Sequence, residues 1–399
     1  MNTISRLKLP MKITMRALIA TAIAATTIAV PATAHADNPA ALGVEAPLGA
    51  VPWSQVGPGW VLATWSPVSG RRPGESAPPG EPGYQTAATT LYLVDPAGGR
   101  YAITTFAPPG DGSRPELVDW SGDGSRALLE TGGYGSPKVI TEVDLHTGAQ
   151  TTVTANGTFE SARYTRPEGK AVLLETPGYN SQGSLERVDL AGNHQLTYPV
   201  APHFGGYLST ADGTQLVLGT DAGLALMGND GVPGKALPIA GQKDCAPTRW
   251  WDTASTIVLA RCSDSPNSQL WLVPIDGGTP TALTAPNNGQ KGPDYGDTTA
   301  WQLPAGTYVQ AQGACGVIFL AKLNADGTTS PVSVPNVHGQ TIIVVGVNGG
   351  DLDLQAKAGC GGGQSLVDYN PTAGTSTVLL GPPVNGGGVL NAVPYPGQR

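Results

Sequence analysis

A tight polar turn followed by a short apolar strand recurs along the chain. The clearest copy runs Trp120-Ser121-Gly122-Asp123-Gly124-Ser125 into Arg126-Ala127-Leu128-Leu129-Glu130-Thr131. Further copies are Pro58-Gly59-Trp60-Val61-Leu62-Ala63-Thr64, Glu168-Gly169-Lys170-Ala171-Val172-Leu173-Leu174, Asp212-Gly213-Thr214-Gln215-Leu216-Val217-Leu218 and Ala305-Gly306-Thr307-Tyr308-Val309. The turn position falls at 59, 124, 169, 213, 254, 306 and 350. After the first interval the spacing is roughly 45 residues, the period of a four-stranded propeller blade.

A second marker has the same count: an alternating strand that ends in an Asp/Asn…Gly turn. Leu91-Tyr92-Leu93-Val94-Asp95-Pro96-Ala97-Gly98 and Leu270-Trp271-Leu272-Val273-Pro274-Ile275-Asp276-Gly277 are examples. In each turn the Asp or Asn side chain can bond the backbone two residues on, and Gly supplies positive φ. One such sheet cannot bury both faces, whereas a radial ring of them can. The expectation is an all-β chain folded as a seven-bladed β-propeller of four-stranded antiparallel blades. A six-bladed ring is the alternative, because Gly349 to Gln355 is polar. Gly49 to Trp53 and Val389 to Val393 both read as innermost strands, and the pattern leaves open which of them closes the ring.

The segment Trp120-Ser121-Gly122-Asp123-Gly124-Ser125 resembles the W-S-P-D-G-x turn of TolB-like (WD40-like, PD40-type) propeller repeats, with Gly122 where that family has proline. The Leu-Tyr-Leu-Val-Asp-x-x-Gly marker is similar to the second half of the same repeat. The resemblance spans roughly 47 to 380, and only the second repeat keeps the motif well. It implies an extracytoplasmic module that binds other proteins; function has to be argued from the site.

The N-terminus lies outside this pattern. Arg6, Lys8, Lys12 and Arg16 precede the apolar run Ala17 to Val30, and Ala34-His35-Ala36 is a small-x-small cleavage signature. That run is shorter than the roughly 20 apolar residues of a membrane span, so residues 1–36 read as a secretory signal peptide. Residues 37–46 then form a linker and 47–399 a single propeller domain, with a Pro/Gly-rich insertion at 66–88. No lipobox cysteine follows, and the mature chain is expected to be secreted or extracytoplasmic with no membrane span. The leader carries four basic residues and no acidic one, so the charge moves from −8 to −12 on cleavage. Such a surface repels nucleic acid. Gly (55) and Pro (36) are frequent while charged residues are only 13%, which fits many short strands and tight turns.

Four cysteines in an exported chain predict disulfides. In the repeat frame Cys245 opens the innermost strand of the fifth repeat and Cys262 closes its antiparallel neighbour, which pairs them. Cys315 and Cys360 then pair by elimination, from equivalent positions in adjacent repeats.

The longer loops fall on one face of the ring, opposite the tight Asp-Gly turns. Loops on a rigid scaffold carry binding residues, so Tyr134, Tyr179, His203, Phe204, Tyr295 and His338 are the candidate contacts. No catalytic residue, metal ligand or cofactor is assigned. There is no G-x-S-x-G elbow. Glu130 and Glu175 read as strand ends, His146 and His194 as solvated turn residues, and the repeated aspartates as turn formers rather than calcium ligands. The tryptophans read as packing between blades. The expected function is a monomeric, non-enzymatic scaffold for a protein or cell-envelope component. The alternatives are a metal-dependent lyase or lactonase acting at the channel and a lectin-like carbohydrate-binding module.

Overall fold

A computed structural model describes residues 41–71, 74–108, 113–132, 137–154, 159–176, 183–202, 206–264, 267–287, 296–313, 317–337, 340–358 and 363–397. The predicted leader lies outside them. In chain order the strands are β1 (Glu45–Pro47), β2 (Val61–Ser66), β3 (Thr89–Val94) and β4 (Arg100–Phe106). There follow β5 (Glu116–Trp120), β6 (Arg126–Thr131), β7 (Val139–Asp144) and β8 (Gln150–Val153), then β9 (Ser161–Tyr164), β10 (Ala171–Thr176), β11 (Ser184–Asp189) and β12 (His194–Thr197). Next come β13 (Tyr207–Ser209), β14 (Gln215–Thr220), β15 (Gly223–Gly228) and β16 (Pro233–Pro238), and β17 (Cys245–Trp250), β18 (Ile257–Asp264), β19 (Asn267–Pro274) and β20 (Thr281–Ala282). The last are β21 (Asp297–Leu303), β22 (Gly306–Gln312), β23 (Ile318–Leu323), β24 (Thr329–Pro331), β25 (Gln340–Asn348), β26 (Asp351–Ala358), β27 (Gly363–Asn370), β28 (Thr375–Leu380) and β29 (Gly388–Pro394).

Consecutive strands pair antiparallel into four-stranded meanders. The meanders β13–β16 and β17–β20 join into one eight-stranded sheet through the pair Thr220↔Cys245. The first sheet has the order β1-β4-β3-β2-β29, so both chain ends complete it. β29 pairs antiparallel with β2 on the inside, and β1 adds parallel to β4 on the outside. Gly49 to Trp53 is therefore not an innermost strand. It forms parts of two short 3₁₀ turns, Leu48–Ala50 and Trp53–Gln55. Pro47 and Pro52 precede these turns and cannot donate to a ladder.

The apolar core is a succession of clusters, each shared by neighbouring meanders. Trp60, Leu62 and Leu93 pack on Trp120 and Leu129. Leu128 and Ile140 meet Tyr164 and Val172, and Leu173 and Leu185 meet Tyr207 and Leu218. The succession continues through Val217 with Val258, Leu259 with Val309 and Tyr308 with Leu354. It ends where Leu366, Leu379 and Leu380 pack against Val61, Tyr92 and Val389, back on the first sheet. The succession closes on itself. The fold is a β-propeller.

The turns are built by the side chains the sequence pointed to. Asp123 Oδ1 accepts from the Ser125 amide (3.0 Å) and from the Ser121 hydroxyl (2.6 Å), while Gly124 takes φ +74°. Asp212 repeats this with Thr214 and Thr210. Gly122 has a tertiary cause: a Cβ there would lie 1.8 Å from the Pro167 carbonyl oxygen of the next sheet. The proline of the resembled repeat has no room in this ring.

Cys245 is bonded to Cys262, and the two are register partners on β17 and β18. Cys315 and Cys360 lie outside the described residues. In the 66–88 insertion, Glu81 pairs with Arg71 and accepts from the Ser69 amide (3.1 Å).

Candidate functional site

The innermost strands carry local irregularities that shape the axis of the ring. One residue is inserted at Val118 in β5, Thr248 in β17, Thr298 in β21 and Val345 in β25. A bulge bends its strand and re-aims a side chain. Three of these residues, Thr248, Thr298 and Val345, line a cavity of about 860 Å³. Turn residues Gly122, Pro167, Ala211 and Asp252 also line it, so the cavity reaches the tight-turn end of the ring.

Three arginines face this cavity: Arg163, Arg166 and Arg249. Tyr164, Tyr207, Trp250, Trp251 and Trp301 supply much of the remaining wall. Equivalent turn bonds align the repeats, because Ser121 N donates to Arg126 O, Thr165 N to Ala171 O and Trp251 N to Ile257 O. Two residues before each donor stand Asp119, Arg163 and Arg249, one position of the repeat carrying one anion and two cations.

Asp119 is fully buried and works within the scaffold. It accepts from the Tyr164 amide (2.8 Å) and from Arg166 Nη2 (3.0 Å), tying the sheet of β5 to that of β9. Arg166 is thereby neutralised, and it also donates to the Trp120 carbonyl (3.1 Å). Arg163 lies 6.0 Å from the centroid of the Tyr207 ring. Its charge reaches the buried Glu175 without an ion-pair contact, and burial pushes that carboxyl up.

Arg249 differs from both. Its Nε and Nη1 reach only backbone carbonyls, Trp250 O at 3.3 Å and Ala300 O at 3.4 Å. Its guanidinium sits 5.2 Å from the centroid of the Trp301 ring, a cation–π contact. No carboxylate among the described residues forms an ion pair with it. The side chain lies deep in the ring yet keeps part of its surface open to the cavity, and desolvation lowers its pKa to about 10. An overall acidic chain thus places at its axial cavity a guanidinium that has no ion-pair contact among the described residues.

The six predicted contact residues, Tyr134, Tyr179, His203, Phe204, Tyr295 and His338, all lie outside the described residues. The other candidate groups are used locally. Glu130 is buried, pairs with Lys138 Nζ at 2.7 Å and accepts from the Ala162 amide. Burial raises its pKa and the lysine opposes that rise. His146 is exposed and packs at a tilt against Trp53 with centroids 4.0 Å apart, and His194 is exposed beside Thr197. Asp95, Asp144 and Asp189 each accept from backbone amides of their own turns. Trp60 and Trp120 pack between sheets as expected, whereas Trp250, Trp251 and Trp301 also wall the cavity. Sequence reasoning missed the arginines. Their signal was a charge beside an aromatic residue on an innermost strand, Arg163-Tyr164 and Arg249-Trp250, in a chain with few charges.

No family model matches the chain, and no curated protein matches it. Among solved structures, TolB from Acinetobacter baumannii is similar at 13% identity, covering 84% of this chain and 66% of that one, with TM-score 0.44. The β-propeller domain of the Trilobed protease from Pyrococcus furiosus is similar at 11% identity, covering 80% and 98%, with TM-score 0.47. A putative TolB from Agrobacterium tumefaciens is similar at 14% identity, covering 71% and 84%, with TM-score 0.36. The propeller assignment here stands on strand order and on the closed succession of apolar clusters.

Proposed function

We propose that this chain is an exported, non-enzymatic propeller of seven TolB-like blades that binds a protein or a cell-envelope component. The carrying observation is the division of labour among its polar groups. Turn aspartates, Glu130 and Asp119 are consumed in holding the ring, while the axial cavity keeps cationic and aromatic walls. Binding sites are typically concave and mostly apolar, with a few placed polar groups. Export rests on the reading of residues 1–36 as a signal peptide, and Tyr134, Tyr179 and His338 remain proposed contacts on the loop face.

The test uses the purified mature chain from Asp37. Envelope components that it retains are identified by mass spectrometry, purified and titrated against it by surface plasmon resonance. Saturable one-to-one binding supports the scaffold reading. One equivalent of bound metal together with turnover of a lactone or polyuronide would replace it with the enzyme reading.

A further inference from the structure

We propose that the axial cavity is a binding site for an organic carboxylate, with Arg249 holding the anion and Trp301 and Trp250 flanking its apolar body. The proposal rests on the binding-module reading above and names the ligand chemistry of its cavity.

The first support is Arg249 itself. A guanidinium presents donors in a planar fork that matches a carboxylate. Here its described partners are two long contacts to backbone carbonyls, which leave donor capacity open toward the cavity. A charge taken from water without a counter-ion is costly, and the downward shift of its pKa reflects that cost. A bound anion would remove it.

The second support is the count of charge. Arg166 is neutralised by Asp119 at 3.0 Å. Arg163 shares its field with Glu175. Asp252 also lines the cavity and keeps its negative charge, which is stabilised by the Thr256 and Ile257 amides of its own turn, and it forms no ion pair with Arg249. Asp119, Glu175 and Asp252 together leave little net positive charge around the cavity, so Arg249 can hold a monoanionic carboxylate where a phosphate dianion would be disfavoured.

The third support is the wall. Trp301 is already oriented by Arg249, and Trp250 is pinned by donating from Nε1 to the Ser209 carbonyl at 2.8 Å. Thr248 and Thr299 bring hydroxyls to the same lining, 3.3 Å from one another. Rigid aromatic faces beside a cation accept a flat or aliphatic body. The cavity volume lies in the range of small-molecule sites.

The probe is 3-phenylpropionate, with 3-phenylpropionamide as its neutral isostere and phenyl phosphate as the dianion. Each is titrated into the mature protein by calorimetry and by quenching of tryptophan fluorescence. A charge-assisted bond predicts at least about tenfold tighter binding of the acid than of the amide. Arg249→Gln is expected to remove that preference, Arg249→Lys to keep part of it, and Arg163→Gln to weaken it less. Arg163 is exposed, so its variant tests the site even if Arg249→Gln does not fold, and circular dichroism verifies each fold. A peptide ending in Phe with a free carboxyl, against its amidated form, distinguishes a chain terminus from a free acid as the source. Equal binding of acid and amide, tighter binding of phenyl phosphate, or no saturable binding of any probe would overturn the carboxylate site. A probe recovered chemically altered would instead overturn the non-enzymatic reading while upholding the site.

Discussion

Asp353→Asn is expected to stabilise this protein at neutral pH. Asp353 and Asp368 are direct register partners on β26 and β27, so their side chains share one face. That face meets the closing sheet, where Gln355, two residues along, donates to the Val389 and Leu390 carbonyls at 3.2 and 2.8 Å. Asp353 is 1% exposed, and neither of its oxygens has a described hydrogen-bond partner. Burial, then Asp368, then Asp351 push its pKa up to about 7, and burial and Asp351 push Asp368 to about 6. The two protons belong to the pair rather than to either residue.

Between the usual carboxylate range and about pH 7 the folded protein therefore holds protons that the unfolded chain has lost. Stability must fall as pH rises through that window. A rise of about three units corresponds to at most about 4 kcal/mol above pH 7, and structural relaxation should leave about 1–3 kcal/mol. The amide introduced by Asp353→Asn carries no charge and can donate to the unpartnered Asp368 Oδ1. Thermal melts of wild type and variant from pH 4.5 to 8 read the effect. The variant should melt about 2–6 °C higher at pH 8 and nearly level with wild type at pH 4.5. A wild-type-minus-variant difference that does not change with pH would refute the argument, whatever the absolute melting temperatures.

Three further outcomes follow from the same contacts. Cys262→Ser, or reduction, should cost about 3 kcal/mol for a loop of this length, and peptide mapping without reductant should recover Cys245 joined to Cys262. Lys138→Met leaves the Glu130 carboxylate buried without its cation and should cost about 3 kcal/mol at pH 7 in urea titrations. The loss should shrink at pH 5, where the carboxyl, its raised pKa no longer opposed by the lysine, takes up a proton. Gly122→Pro, which restores the residue of the resembled repeat, should destabilise by about 2 kcal/mol or more through collision with Pro167, and a melting temperature equal to wild type would contradict the close approach.

Much of the ring was legible in the sequence because its signals are local. An aspartate bonds amides two to five residues away, and a glycine takes up positive φ within the same turn, so Asp123-Gly124 and Asp212-Gly213 announce themselves. Strand alternation and the period of the turns then fix the meanders, and the pairing of Cys245 with Cys262 follows from their antiparallel register. Chain closure could not be read this way. Gly49 to Trp53 and Val389 to Val393 carry similar apolar patterns, and only packing against β2 decided between them.

The axial cavity was less legible still. Its wall takes a few residues from each of the innermost strands β9, β13, β17, β21 and β25, so the side chains that meet there stand some 40 or more residues apart in a ~45-residue repeat. Bulges at Thr248, Thr298 and Val345 shift those side chains off the simple alternation that a sequence reading assumes. Turn chemistry and periodicity therefore belong to the sequence by itself. Ring closure, the collision that requires Gly122, the facing pair Asp353 and Asp368, and an Arg249 without an ion pair among the described residues were decided only by the tertiary structure. Each depends on the field or volume of a neighbouring sheet, which no local pattern encodes.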